Sequence, residues 1–286
     1  MRSSRQTSRR VKRATRATLV LALLLSVGGY IALRHSVPVL EPSSCSAETS
    51  GPSVSLNVGQ AGIAATIAGV AQHQQMPRRA VTIAYATALQ ESKLTDLRAG
   101  DLDSVGVFQQ RPSMGWGPAS KIEDPVYATT RFFAALTKVP RYERLPVYRA
   151  AQAVQRSADG YAYNQYAGVA TKMSRAFTGE LPHAVWCWYP NPLGRTRLTA
   201  ANTALARAFG PLPGHLTGDP TQEIRVGKPS AGWAVAAWLV SHAGAYGIRH
   251  VSYLGYLWQA GRGNGGWARG SLASQPKAPP AMVVFG

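Results

Sequence analysis

The chain has 286 residues, with 31 Lys and Arg against 13 Asp and Glu, and a formal net charge of +18. Its 45% hydrophobic content, with ordinary glycine and proline, provides for a sizeable core and excludes collagen-like and low-complexity chains. Two cysteines are too few for a disulfide-dense mini-protein and form no CxxC metal motif, and a single long hydrophobic segment excludes a multi-span transporter or channel.

Residues 1–16 form a basic tail. Arg2, Arg5, Arg9, Arg10, Lys12, Arg13 and Arg16 are balanced by no acid, and taking these seven charges from +18 leaves +11 on the remainder. Residues 17–33 (ATLVLALLLSVGGYIAL) carry no charge. As a helix they reach about 25 Å, close to the ~30 Å of a hydrocarbon core. A basic run ahead of such a segment predicts a transmembrane signal-anchor: a single-pass protein of the cell membrane, N-terminus in the cytoplasm and bulk outside. Cleavage of the segment would give a secreted form. The basic run has no interleaved aromatics, so nucleic acid is not expected as a partner. The charge that remains outside would concentrate the protein at anionic envelope polymers by screened attraction, or simply keep it soluble.

Residues 34–56 are rich in Pro and Ser and read as a linker. From 57 to 187 the pattern is mainly helical, with helices expected at 59–75, 77–94, 125–138, 147–157 and 164–178. A loop over 98–124 is punctuated by Gly100, Gly106, Pro112, Gly115, Gly117 and Pro118. Cys45 and Cys187 bracket this α-rich domain. In an oxidising compartment they would form a disulfide joining its two ends, with free buried cysteines as the alternative. Residues 188–221 read as a connector containing a helix at 198–209. Residues 222–286 read as a small α/β (or α+β) module with a strand at 224–226, a helix at 231–246, a hairpin over 249–259 and a closing strand Met282–Phe285. Its Trp and Tyr residues are assigned to core rather than to a binding surface. The expected architecture is thus a mainly α domain behind one membrane span, with a small C-terminal module.

The stretch from 80 to 117 carries the chemistry. Ala80 to Gln90 is an uncharged run of small and apolar residues broken only by two Thr, one Tyr and one Gln, which describes a helix buried on most of its circumference. Glu91 is the first charge after it. A carboxyl group there is partly desolvated, which disfavours the anion and suits a general acid; an exposed helix-end glutamate is the plainer alternative. Gly106-Val107-Phe108-Gln109-Gln110 follows, offering amides for sugar hydroxyls and acetamido groups. Trp116, between two glycines, is placed to stack on a pyranose. Asp101 and Asp103 are available as second carboxylates. Acid, amides, aromatic and loop acids together describe a polysaccharide groove.

Glu91-Ser92 followed by Gly106-Val107-Phe108-Gln109 resembles the E-S…G-L-M-Q signature of soluble lytic transglycosylases and goose-type lysozymes. The string DLDSVGVFQQRPSMGWG, the flanking cysteines, the DPVYA helix start at 124–128 and the AAQAVQRSA helix at 150–158 are similar still more closely to a lysozyme-like domain of actinobacterial envelope proteins. The resemblance covers about 45–187. It implies a lysozyme-like fold with Glu91 as acid/base, Ser92 orienting it, and Gln109 with the Val107–Phe108 backbone holding an N-acetyl sugar. Ala162-Tyr163-Asn164 resembles the A-Y-N of the transglycosylases, whose tyrosine reaches the catalytic glutamate; here Gln165-Tyr166 replaces the glycine that follows.

The implied substrate and partner is the peptidoglycan glycan strand, cut between N-acetylmuramic acid and N-acetylglucosamine. One carboxylate suffices for a lytic transglycosylase. A second that holds water gives a lysozyme, and Asp101 and Asp103 are the candidates for it. A wall-binding or scaffold protein that keeps the groove without catalysis is the alternative from another class. No cofactor is implied, and the six histidines show no metal-ligand spacing.

Overall fold

Two short strands that the sequence reading absorbed into a linker begin the folded part of the chain. In the computed structural model, which describes residues 19–30, 42–157, 159–190, 192–215, 221–263, 266–270 and 281–286, strand β1 (Ser44–Ala47) pairs with β2 (Val54–Asn57). On its other edge β1 pairs with β3 (Val185–Trp188), giving an antiparallel sheet of order β2-β1-β3. Cys45 lies directly opposite Cys187 in that register, and the two form a disulfide.

The chain divides into two units, Met1–Pro42 and Ser43–Gly286. In the first, the described helix covers only 19–30. Twelve residues rise about 18 Å, well short of a hydrocarbon core. No helix among the described residues is long and apolar enough to cross a membrane. The expected transmembrane signal-anchor is therefore corrected, and with it the single-pass cell-membrane localisation and the membrane as a partner. The basic tail, the ends of the 17–33 segment and residues 34–41 lie outside the described residues.

In the second unit, α1 (Val58–His73) starts at a capping box. The Asn57 side chain accepts from the Gln60 N–H at 2.8 Å while the Gln60 side chain accepts from the Asn57 N–H at 3.0 Å. Helix α2 (Arg78–Ser92) is buried from Ala80 to Ala88, as its uncharged run requires. It ends where Lys93 and Leu94 both take left-handed φ values, 56° and 57°. The Leu94 N–H returns to the Ala88 carbonyl at 3.1 Å, and its side chain enters the core, so the chain turns sharply just past Glu91. After the loop come α3 (Ala119–Ile122), α4 (Pro125–Leu136), α5 (Val147–Gln155), a 3-10 turn (Tyr161–Tyr166) and α6 (Ala167–Phe177). Pro125 stands at the first position of α4 behind the Asp124 cap, whose side chain accepts from the Val126 N–H at 3.0 Å.

After β3 and α7 (Leu198–Phe209) the chain builds a six-stranded antiparallel sheet from β4 (Gly214–His215), β5 (Gln222–Arg225), β6 (His250–Tyr253), β7 (Tyr256–Gln259), β8 (Ala268–Arg269) and β9 (Met282–Phe285). Its order is β4-β5-β9-β6-β7-β8, so the C-terminal strand sits inside the sheet, fully buried, between β5 and β6. The expected helix at 231–246 is two: α8 (Pro229–Ser241) and, after a break at His242, α9 (Ala243–Tyr246). Helix α8 is buried from Ala231 to Ser241 and packs on α1, β3 and β6. One contiguous buried cluster therefore runs from the α-rich half into the C-terminal sheet. Small residues permit that approach: a Cβ at Gly69 of α1 would lie 2.6 Å from the Phe209 ring of α7. Trp258 of β7 donates its indole N–H to the Cys187 carbonyl at 2.8 Å, tying the second sheet to the disulfide-bearing strand.

Candidate active site

Glu91 occupies the last turn of α2, half-buried. The Tyr163 hydroxyl, from the 3-10 turn 72 residues on, donates to Glu91 Oε1 at 2.6 Å. Tyr163 is 2% exposed. Burial, and then the hydrogen bond to the Glu91 carboxylate, push its phenol well above the ordinary tyrosine range. The phenol therefore stays protonated at any working pH and is a permanent donor to the carboxylate.

The residues that stand where the resembled motif has glycine hold this turn against the helix end. Gln165 Nε2 donates to Gln90 Oε1 at 3.2 Å, and Lys93 Nζ donates to the Tyr166 hydroxyl at 2.6 Å while lying 4.8 Å from that ring's centroid. Asn164, named with Tyr163 in the sequence, is exposed beside them.

Ser92 is buried at the end of α2. Its hydroxyl reaches the Val107 carbonyl at 2.7 Å and accepts from the Thr95 N–H at 3.2 Å, fastening the 106–110 turn to the end of α2. That turn folds as an isolated bridge between Val105 and Gln110. It needs glycine at its tip, because Gly106 has φ 75° and a Cβ there would lie 2.6 Å from the Ile122 carbonyl oxygen. Val107 and Phe108 are wholly buried, Phe108 stacked on Phe132 at 4.5 Å. Their carbonyls accept from Ser92 and from Gln155 Nε2, the latter at 2.7 Å. Gln110 is also buried, donating to the Ala128 carbonyl at 3.1 Å. Gln109 alone of this run is half-exposed, its amide donating to the Gly106 carbonyl at 3.1 Å.

The two loop aspartates have different fates. Asp103 accepts from Arg111 Nε at 2.7 Å, from the Ser113 N–H at 2.7 Å and from the Ser113 hydroxyl at 2.9 Å. The Arg111 guanidinium first, and the Ser113 donors next, hold its carboxyl far below the usual carboxylate range. Asp101 is exposed, and its carbonyl accepts from the Ser104 N–H at 3.0 Å. A carboxyl that the sequence reading passed over is Asp96. Burial first, then the neighbouring Glu123 charge, raise it to about 6, and its Oδ1 is buried without a hydrogen-bond partner.

Trp116 is half-exposed and lines two adjoining cavities of about 300 and 130 Å³, which also share Arg156. Gln109, Arg111 and Gln155 line the smaller, and Arg131 and Lys138 the larger; Glu91 lines neither. Gln155 was visible in the sequence only as part of the 150–158 helix, with nothing to say that it would hold the Phe108 carbonyl. Among the described residues no cluster of His, Cys, Asp and Glu could hold a metal ion.

No protein-family model and no curated protein matches this chain. The site is a half-buried carboxyl group with one permanent donor, at the end of a buried helix, near a loop fastened to that helix end.

Proposed function

We propose that the protein cleaves the β-1,4 bond between N-acetylmuramic acid and N-acetylglucosamine in peptidoglycan, with Glu91 as the single acid/base. The observation that carries this reading is the Tyr163–Glu91 hydrogen bond. It sets a carboxylate from the end of α2 against a tyrosine from a distant turn, as the resemblance to lytic transglycosylases and goose-type lysozymes leads one to expect. Glu91 protonates the leaving glycosidic oxygen. As the anion it then takes the proton of the muramyl C6 hydroxyl, whose oxygen closes on C1 to give a 1,6-anhydro sugar without consuming water. Tyr163 donates to one carboxylate oxygen throughout, which keeps the other aimed at the reacting oxygens.

The capture of Asp103 by Arg111 and Ser113 favours this route over hydrolysis, since a carboxylate already accepting three hydrogen bonds is a poor holder of water. One observation favours the non-catalytic alternative: both cavities lie along Trp116 and omit Glu91.

The deciding experiment incubates the full chain and its Glu91→Gln variant with purified peptidoglycan and reads soluble muropeptides by mass spectrometry. Anhydro-muramyl ends that disappear in Glu91→Gln are expected. Reducing ends would overturn the water-free route. Binding with no Glu91-dependent product would leave a wall-binding protein.

A further inference from the structure

The contact between Tyr163 and Glu91 joins two segments that are weak by themselves. Tyr163 sits in a 3-10 turn of six residues, Tyr161–Tyr166, and 3-10 runs of that length are uncommon because their hydrogen bonds are poorly aligned. Glu91 stands one residue from the end of α2, where backbone carbonyls run out of intrahelical partners. In 3-10 geometry residues three apart eclipse, so Tyr163 and Tyr166 project from one face of the turn. Both reach the end of α2: the Tyr163 hydroxyl donates to Glu91 at 2.6 Å, and the Tyr166 hydroxyl accepts from Lys93 Nζ at 2.6 Å. They form two rungs between the same pair of segments, with Gln165 to Gln90 at 3.2 Å as a longer third.

The Lys93 rung is held at both ends of the residue. An exposed lysine ordinarily keeps its ammonium in water and its rotamers free. Lys93 is exposed, yet its ammonium is bonded to the Tyr166 hydroxyl and lies 4.8 Å from that ring's centroid. Its carbonyl accepts from Gln60 Nε2 at 2.9 Å. Gln60 is fixed in turn, because its Oε1 accepts from the Asn57 N–H in the capping box that opens α1. We infer that Lys93 is a positioning residue for the reaction: braced on α1 through Gln60, it fixes the spacing between the end of α2 and the tyrosine turn, and it acts on Glu91 only through the Tyr163 hydroxyl. Its effect on rate rests on the proposed function; its effect on that hydroxyl does not.

The test compares the full chain with its Lys93→Met, Lys93→Arg, Tyr166→Phe, Tyr163→Phe and Lys93→Met/Tyr163→Phe variants. Methionine keeps an unbranched stem without the charge, and arginine keeps a cation that can donate and lie against the ring. Thermal unfolding checks that all five fold. On peptidoglycan, Lys93→Met and Tyr166→Phe should each lower kcat about three- to tenfold with KM unchanged, and Lys93→Arg should recover most of that loss. In the Tyr163→Phe background Lys93→Met should cost less than about twofold more, because two residues acting through one bond are not additive. A lysine acting by its charge on Glu91 or on the substrate would keep its full effect there. The second readout needs no turnover. The Tyr163 hydroxyl proton, identified by NMR from its loss in Tyr163→Phe, should exchange with water at least about threefold faster in Lys93→Met and at the wild-type rate in Lys93→Arg. Full additivity with Tyr163→Phe, a change confined to KM, or an unaltered exchange rate in Lys93→Met would each overturn the inference. If wild type yields no Glu91-dependent product, the proposed function fails, and the exchange rates alone decide whether Lys93 positions the hydroxyl.

Discussion

Replacing Tyr163 by Phe removes one oxygen atom and tests the arrangement on which the functional reading depends. The hydroxyl donates to Glu91 Oε1 at 2.6 Å, a short O–H···O contact to a carboxylate. Bonds of this charge-assisted kind contribute about 1.5–3 kcal/mol. The phenol is 2% exposed, so the carboxylate oxygen that loses it has little access to replacement water. If the bond gains this much strength between the bound state and the transition state, its loss lowers kcat by about 10- to 150-fold. Because the ring stays in place, KM should move little and the melting temperature by only a few degrees. The assay is release of soluble muropeptides over time, with Glu91→Gln as the inactive reference and thermal unfolding as the fold control. A Tyr163→Phe protein that turns over at the wild-type rate, while Glu91→Gln is dead, would refute the claim that this hydrogen bond serves catalysis. A collapse of stability alongside activity would make Tyr163 a packing residue.

Two further expectations concern the scaffold. Reducing the Cys45–Cys187 bridge, or replacing both cysteines by Ala, releases a cross-link that spans 142 residues of sequence. The chain-entropy model puts this at up to about 5 kcal/mol, or a fall in melting temperature of roughly 10–20 °C; an unchanged melting temperature in the double variant would show that the packing of β1 on β3 suffices alone. The second expectation is a pH dependence. His242 is stacked on Trp238 at 3.9 Å, and burial lowers its pKa from 6.5 to about 4 despite the Nδ1 contact to the Trp238 carbonyl. The unfolded chain therefore binds the proton first as pH falls, so the stability this neutral histidine contributes is present above about 6.5 and is lost between there and about 4. Unfolding free energies from denaturant titrations at pH 7 and pH 4 should differ by about 3 kcal/mol from this group, and the His242→Phe protein should lack that component. An identical pH slope in the variant would refute the assignment.

How much of the site was legible follows from where each signal resides. Helix α2 was readable because the run from Ala80 to Gln90 has no charge, as fits a helix buried on most of its circumference. The acid at its end, and the glycine that Gly106 must be, are likewise local. The first sheet was not readable. β1 and β2 are four residues each, lie in a segment rich in Pro and Ser, and form a sheet by pairing with each other and, through β1, with the distant β3. Val107 and Phe108 look, in sequence, like backbone offered to a ligand. Their burial comes from Phe132 on one side and Gln155 on the other, and neither is near in sequence. Asp103 looked available for the same reason, until Arg111 and Ser113 closed on it. The 17–33 segment shows the opposite failure: hydropathy alone predicted a span, whereas among the described residues, which here are 19–30, no helix is long and apolar enough to cross a membrane.

The amino-acid order by itself determined most of the helices of the α-rich half, the glutamate at the end of a largely buried one, and the cysteine pair that encloses that half. Only the tertiary structure decided that the Tyr163 hydroxyl lies 2.6 Å from Glu91, that Asp103 is already bonded to Arg111 and Ser113, and that the C-terminal strand enters the middle of its sheet. Periodicity and charge-free runs express contacts a residue makes within a turn or two of its own chain. A hydrogen bond between residues 72 apart, or a strand pair bridged over 142, depends on which surfaces are buried together, and that is settled by packing the whole core at once.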